Sequence, residues 1–181
     1  MAAIICFLRG VNVGGKGKVP MAELKALLED ELGFENVKTV LQSGNVVFTA
    51  KGALPALTKK IEAAIEKAFK YQSDVHLLTP AALRKIIEDN PFKAEEKKDP
   101  SHMVGVIVPK APAKDAQEKL EAIAKPGEKI KVTPHAVYLF HRDGMADTKI
   151  AGGTLDRALG CRGTGRNWNT LNKVLELAEG L

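Results

Sequence analysis

The chain has 181 residues, 45% hydrophobic and 27% charged, with a formal net charge of +5. These are the proportions of a folded, water-facing protein, and no apolar run approaches the roughly 20 residues that a membrane span needs. Two cysteines exclude a disulfide-stapled scaffold, and the N-terminus lacks the basic start and small-residue cleavage site of a signal peptide, so the expected compartment is the reducing cytoplasm. The pI of about 9.1 suits anionic partners without identifying one. Many lysines stand beside glutamates at helical spacing, as in Glu62, Glu66, Lys67 and Lys70, which is the pattern of a solvated face.

In chain order, Ala3 to Arg9 reads as a strand, and Cys6 inside it as a small buried hydrophobe. Met21 to Leu32 reads as a helix, with Met21, Leu24, Leu27, Leu28 and Leu32 on one face. Val37 to Leu41 and Asn45 to Ala50 read as strands joined by a tight Ser43-Gly44 turn. Pro55 to Phe69 is a helix and Asp74 to Thr79 a short strand, giving the order βαββαβ, the split-βαβ or ferredoxin-like arrangement. Thr79-Pro80 opens a further helix, and the charged stretch Lys93 to Ser101 reads as a linker or exposed loop.

The order then repeats. His102 to Val108 is a strand, Ala113 to Ile123 a helix, and Lys129 to Val132 with Ala136 to His141 a hairpin. Ile150 to Leu159 is a helix, Cys161 to Thr164 a short strand, and the apolar spacing of Leu171, Val174, Leu175 and Ala178 marks a last helix. The expected fold is therefore α+β, with two tandem ferredoxin-like halves packed together and an extra C-terminal helix. Residues 1–90 form the first half with its linking helix, 91–101 the charged linker and 102–181 the second half. Runs such as Ile4 to Leu8, Val46 to Phe48 and Val104 to Val108 do not alternate with polar residues, so both faces of the sheets are expected to be covered.

The richest segment is Arg9-Gly10-Val11-Asn12-Val13-Gly14-Gly15-Lys16-Gly17-Lys18-Val19-Pro20, a glycine-rich basic loop between strand and helix. Glycines let a backbone bend tightly against a ligand, and the helix that follows offers free N–H groups to an anion. In the ferredoxin-like order the first and third strands are antiparallel neighbours, which sets Arg9 to Asn12 beside Gln42-Ser43-Gly44-Asn45. The expected ligand-binding rim is Arg9, Asn12, Gly14, Gly15, Lys16, Gln42, Ser43 and Asn45, and the competing expectation is that the amides and hydroxyl serve only turns. Gly10, Gly15 and Lys16 match the first part of a Walker A loop, but Gly17 stands where the magnesium-binding hydroxyl belongs and Pro20 delays the helix, which argues against a nucleotide-triphosphatase. A second polar cluster combines Lys149 with Arg166, Trp168 and Asn169. Two cations and amides there suit an anion, with Trp168 either a stacking surface or a core residue, and Asn169 or Thr170 a helix cap.

Several of these segments carry a family resemblance: Arg9 to Gly15, Val19-Pro20-Met21, Leu32-Gly33-Phe34, Gln42 to Phe48 and Arg166 to Thr170. Together they resemble the bacterial domain of unknown function 1697 family, with the motifs in order from residue 3 to about 178. The resemblance implies a duplicated ferredoxin-like fold and no established activity. The four histidines show no metal-ligand spacing, neither cysteine sits in a nucleophile motif, and no base stands near Ser43, so no metal is expected and catalysis is undecided. Phe7 and Phe48 lie in strands that read as covered, which disfavours base stacking in the manner of an RNA-recognition sheet. The expected function is binding of a phosphate-bearing small molecule or nucleic-acid backbone at the glycine loop. The alternatives are an enzyme acting on an anionic small molecule and a protein-interaction module. Cofactor, ligand and oligomeric state are not specified by the sequence.

Overall fold

The computed structural model describes residues 1–15 and 17–181. Its first sheet is built on β1 (Ala2–Leu8), where Ile4 to Leu8 are all at most 2% exposed. Five consecutive apolar residues form a strand with no solvent face, and such a strand belongs at a sheet centre. β1 pairs antiparallel with β3 (Asn45–Ala50) on one side and β4 (Val75–Leu78) on the other, and β2 (Glu35–Val40) completes the order β2-β3-β1-β4. Ile4, Cys6 and Leu8 meet Leu24 and Leu28 from the segment after the glycine loop and Ile61 and Ile65 from α2 (Leu54–Phe69) in one core. Each such buried aliphatic side chain contributes roughly 1.5–3 kcal/mol.

The helix expected over Met21 to Leu32 is α1 (Met21–Ala26) followed by a single π turn over Leu27–Glu31, where Leu32 N–H donates to the Leu27 carbonyl. Gly33, at φ +68°, ends it, and Phe34 then stacks on Phe48 with ring centres 4.6 Å apart. α3 (Pro80–Glu88) starts where Thr79-Pro80 predicts, with the Thr79 hydroxyl accepting the Ala82 N–H.

The second sheet has the same order in its own strands: β6 (Glu128–Val132), β7 (Ala136–His141), β5 (Met103–Ile107) and β8 (Thr164–Asn167), all antiparallel. α5 (Ala116–Glu121) and α6 (Gly152–Leu159) supply Ala116, Leu120, Leu155 and Leu159 to its core, and α7 (Trp168–Glu179) follows β8. The chain divides into two compact units, Met1–Arg84 with Lys173–Leu181 and Lys85–Asn172.

Two further expected elements differ. The charged stretch after Pro91 is not a loop but α4 (Lys93–Lys98), because buried Asn90 accepts the Phe92 N–H and donates to Glu96, fixing both ends of its first turn. The last strand lies three residues later than expected, at Thr164 rather than Cys161. It is polar, and only its pairing with β5 (Ile107 opposite Thr164, Val104 opposite Asn167) makes it a strand.

One carboxylate ties three segments of the second unit. The Glu128 side chain, 7% exposed, lies 2.9 Å from His141 Nδ1 on β7 and accepts the Lys125 N–H at 2.8 Å and the Thr148 hydroxyl. Burial pushes this carboxyl up, but the three hydrogen bonds and the His141 charge outweigh it, so it is held below 4.5. A carboxyl with a lowered folded-state value contributes stability that is present above its ordinary range and lost as pH falls through the folded value. Unfolding free energy is expected to fall on acidification below about pH 4.5, and Glu128→Gln is expected to flatten that slope; urea titrations at stepped pH measure both.

Candidate functional site

β1 ends beside the start of β3, with Phe7 opposite Asn45 and the Leu8 N–H donating to the Gly44 carbonyl at 2.8 Å. The glycine loop and the Gln42–Asn45 turn therefore do meet. Gly44 has φ +75°, and a Cβ there would come within 2.5 Å of Val11 and 2.7 Å of Leu8, so the turn lies directly on the strand end. Asn12 joins the two segments. Its Nδ2 donates to the Gln42 carbonyl at 2.7 Å and to the Val19 carbonyl at 2.8 Å, and its Oδ1 accepts the Val19 N–H at 2.9 Å. Asn12 itself sits at φ +55°, a conformation its short amide tolerates.

These bonds change the roles expected from the sequence. The Asn12 amide is consumed in closing the loop, and Asn45, fully buried, donates to the Val40 carbonyl and the Ser43 hydroxyl. For Asn12, Ser43 and Asn45 the turn-forming role is the one observed. The glycine turn is also separated from the helix start: Val19 is buried with its N–H on Asn12, and Pro20 has no N–H to offer. Lys16 lies outside the described residues. Gly14 and Gly15 are exposed, at φ +60° and +76°, and among the described residues nothing lies within 4 Å of where a side chain would stand. Lys18 and Gln42 are exposed as well.

A third segment reaches this rim that sequence reasoning missed. The Arg9 N–H donates to the Asp74 carbonyl at 2.9 Å, its guanidinium is 3.9 Å from the Asp74 carboxylate, and the Ser73 hydroxyl donates to the Arg9 carbonyl at 2.8 Å. The Tyr71 hydroxyl donates to the Gly10 carbonyl at 2.9 Å, and its ring lies so close to Gly17 that a Cβ there would fall 2.6 Å from it. The signal was available: antiparallel pairing of β4 with β1, Leu8 opposite Val75, brings the entry to β4 to the same end.

The second cluster does not form an open anion site. Of the two expectations for Trp168, stacking surface or core residue, the second is observed: it is fully buried, tilted against Tyr138 with ring centres 6.2 Å apart and packed over Gly105. Arg166 is 8% exposed, and its Nη1 donates to the Thr164 hydroxyl at 2.7 Å and the Gly165 carbonyl at 2.9 Å. The helix cap is Asn167, whose side chain accepts the Asn169 N–H at 3.0 Å, rather than Asn169 or Thr170. Asn169 and Lys149 are exposed. This cluster lies in the second unit and the glycine rim in the first.

A family model described as a protein of unknown function, DUF1697, matches residues 1–138. The chain belongs to that family. The match ends before Arg166–Thr170, one of the motifs behind the resemblance, and covers the whole glycine rim. Among solved structures, this DUF1697 chain is similar to the conserved bacterial protein SP0830 from Streptococcus pneumoniae, with a TM-score of 0.75 and 23% identity over 97% of this chain and 98% of that one. That likeness concerns the fold. No curated protein matches.

Chemically, the described DUF1697 rim combines exposed backbone, the cations Arg9 and Lys18 and the hydroxyls of Ser43, Ser73 and Tyr71. Cys6 is buried in β1, and burial pushes the Cys161 thiol up, away from the thiolate form that reacts. Tyr138 is likewise pushed up to about 12 by burial and then by the charge of Asp89, with its hydroxyl on the Ile86 carbonyl at 2.8 Å. Among the described residues no group of three or more His, Cys, Asp or Glu could hold a metal ion.

Replacing Asn12 with alanine removes its three bonds and leaves a Cβ at φ +55°. The expected loss is roughly 2–4 kcal/mol of stability. Asn12→Gly, which keeps the conformation but not the bonds, is expected to lose about 1 kcal/mol less. Chemical denaturation of both variants checks the pair.

Proposed function

We propose that this DUF1697 protein binds a phosphate-bearing ligand, a nucleotide or a nucleic-acid backbone, on the glycine turn of its first unit. The observation that carries the reading is the Gly14–Gly15 pair: two successive exposed residues with left-handed backbone and, among the described residues, open space over both. Successive N–H groups in such a turn suit an anion. The turn is anchored at its base by the Asn12 bonds and backed by Tyr71, so little ordering is needed on binding. Lys18, Arg9 and the exposed Gln42 supply charge and a polar edge, and Lys16 is the remaining cation of the loop. Lys149 and Asn169 belong to the other unit.

We also read each unit as one ferredoxin-like half of a duplicated, cytoplasmic protein. The support for the duplication is the same strand order in both sheets, second-third-first-fourth within each.

One observation favours a second reading, a protein-interaction surface. Val13 and Leu41 are 63% and 58% exposed, next in sequence to the bonded Asn12 and Gln42, and Leu41 holds φ +58°. An exposed bulky residue in left-handed backbone costs of order 1 kcal/mol or more, which a contact made by that side chain would offset.

The two readings part in one experiment. Melting temperature is measured against pyrophosphate, mononucleotides and short oligonucleotides, and the salt dependence of any binding is followed. The phosphate reading expects stabilisation of about 2.7 kcal/mol at a hundredfold excess over Kd, abolished by Gly15→Val, with a steep salt slope if the ligand is a nucleic-acid backbone. No shift across the whole panel removes the phosphate reading and leaves the interaction surface.

A further inference from the structure

The second sheet exposes one edge whose bonding is partly disclosed by the protein's own side chain. β6 is an edge strand, paired only with β7. On its outer side the Ile130 carbonyl accepts Nε2 of Gln117 at 3.0 Å, and the Val132 N–H donates to Oε1 of the same side chain at 2.7 Å. One carboxamide thus donates and accepts where the peptide groups of a neighbouring strand would. In an antiparallel strand the N–H and C=O of alternate residues point the same way. With 130 and 132 turned outward, Lys129 and Lys131 turn their backbone to β7, and Glu128 turns its outward too. The Glu128 N–H is taken by the Lys125 carbonyl at 3.0 Å. The Ile130 N–H and Glu128 C=O turn outward, and both residues line, with Phe92, Ala124 and Pro126, a groove of about 600 Å³.

Side chains along this edge alternate in character. Ile130 and Val132 pack on the core, while Lys129 and Lys131 are exposed on the opposite face. Lys129 is paired with Glu95 of α4, in a contact half open to water on the lysine side. Such a pair is worth little and exchanges readily. A second copy of this chain is a poor occupant, because β6 against β6 would set Lys129 and Lys131 against the same lysines of the other copy, and like charges facing across strands are destabilising.

We propose that the outer edge of β6 is a docking site for an extended segment of a partner protein, with acidic side chains over Lys129 and Lys131 alternating with apolar ones beside Ile130 and Val132. The segment adds as a further strand, main chain to main chain. It takes the Ile130 N–H and Glu128 C=O first and then replaces the Gln117 amide.

The test uses the full chain and dye-labelled short peptides: one alternating valine and glutamate, one alternating valine and lysine, and one in which proline replaces the central valine of the acidic peptide. Binding is followed by fluorescence anisotropy and amide hydrogen exchange. The expected result is that the acidic peptide binds and slows exchange at Ile130. The lysine peptide should bind at least roughly tenfold more weakly, and Lys129→Glu with Lys131→Glu should reverse that preference. Gln117→Ala, which clears the edge, should tighten binding roughly threefold or more. Absence of binding by the acidic peptide, equal binding by the proline peptide, or binding that leaves Ile130 exchange unchanged overturns the proposal. So does a concentration-dependent dimer of the chain that the double lysine variant alters.

Discussion

The first unit is organised by the two-sided pairing of β1. Because Ile4 to Leu8 have no solvent face, the strand takes neighbours on both edges, and antiparallel register then brings three distant segments to its C-terminal end. The Gln42–Asn45 turn arrives through β3, Tyr71 to Asp74 through β4, and the glycine loop leaves from β1 itself. An apolar pentapeptide thereby decides which polar groups become neighbours. Asn12 converts that proximity into a fixed geometry, since the carbonyls of Val19 and Gln42 share its Nδ2.

Much of the architecture was legible in the sequence because burial leaves a strong periodic trace. β3 and β7 fall at the residues expected, and both hairpins and α2 lie within a residue or two. What was not legible depended on contacts rather than composition. α4 looks like a charged loop until Asn90 is seen holding it, and β8 has no apolar pattern because its register comes from β5. The π turn after Ala26 leaves the leucine spacing of a helix intact, so nothing in that spacing announces it.

At the rim the sequence brought the right segments together but left two roles open for the amides, ligand binding and turn formation. The meeting of the glycine loop with the hairpin turn follows from strand order alone, and it is present. Which amides stay available does not follow, since a polar side chain at a tight turn meets backbone groups before it meets solvent. Asn12 and Asn45 went that way, and Trp168 went to the core, as its apolar area favours. Gly14 and Gly15 are exposed, in left-handed backbone, and are visible in the sequence only as glycines.

The Glu128 carboxylate gathers the start of β6, the end of β7 and the connection carrying Thr148 that follows it. A junction of that kind synchronises its members. Loosening one releases the constraint on the other two, so this end of the second unit should behave as a single opening event rather than as three independently fraying loops.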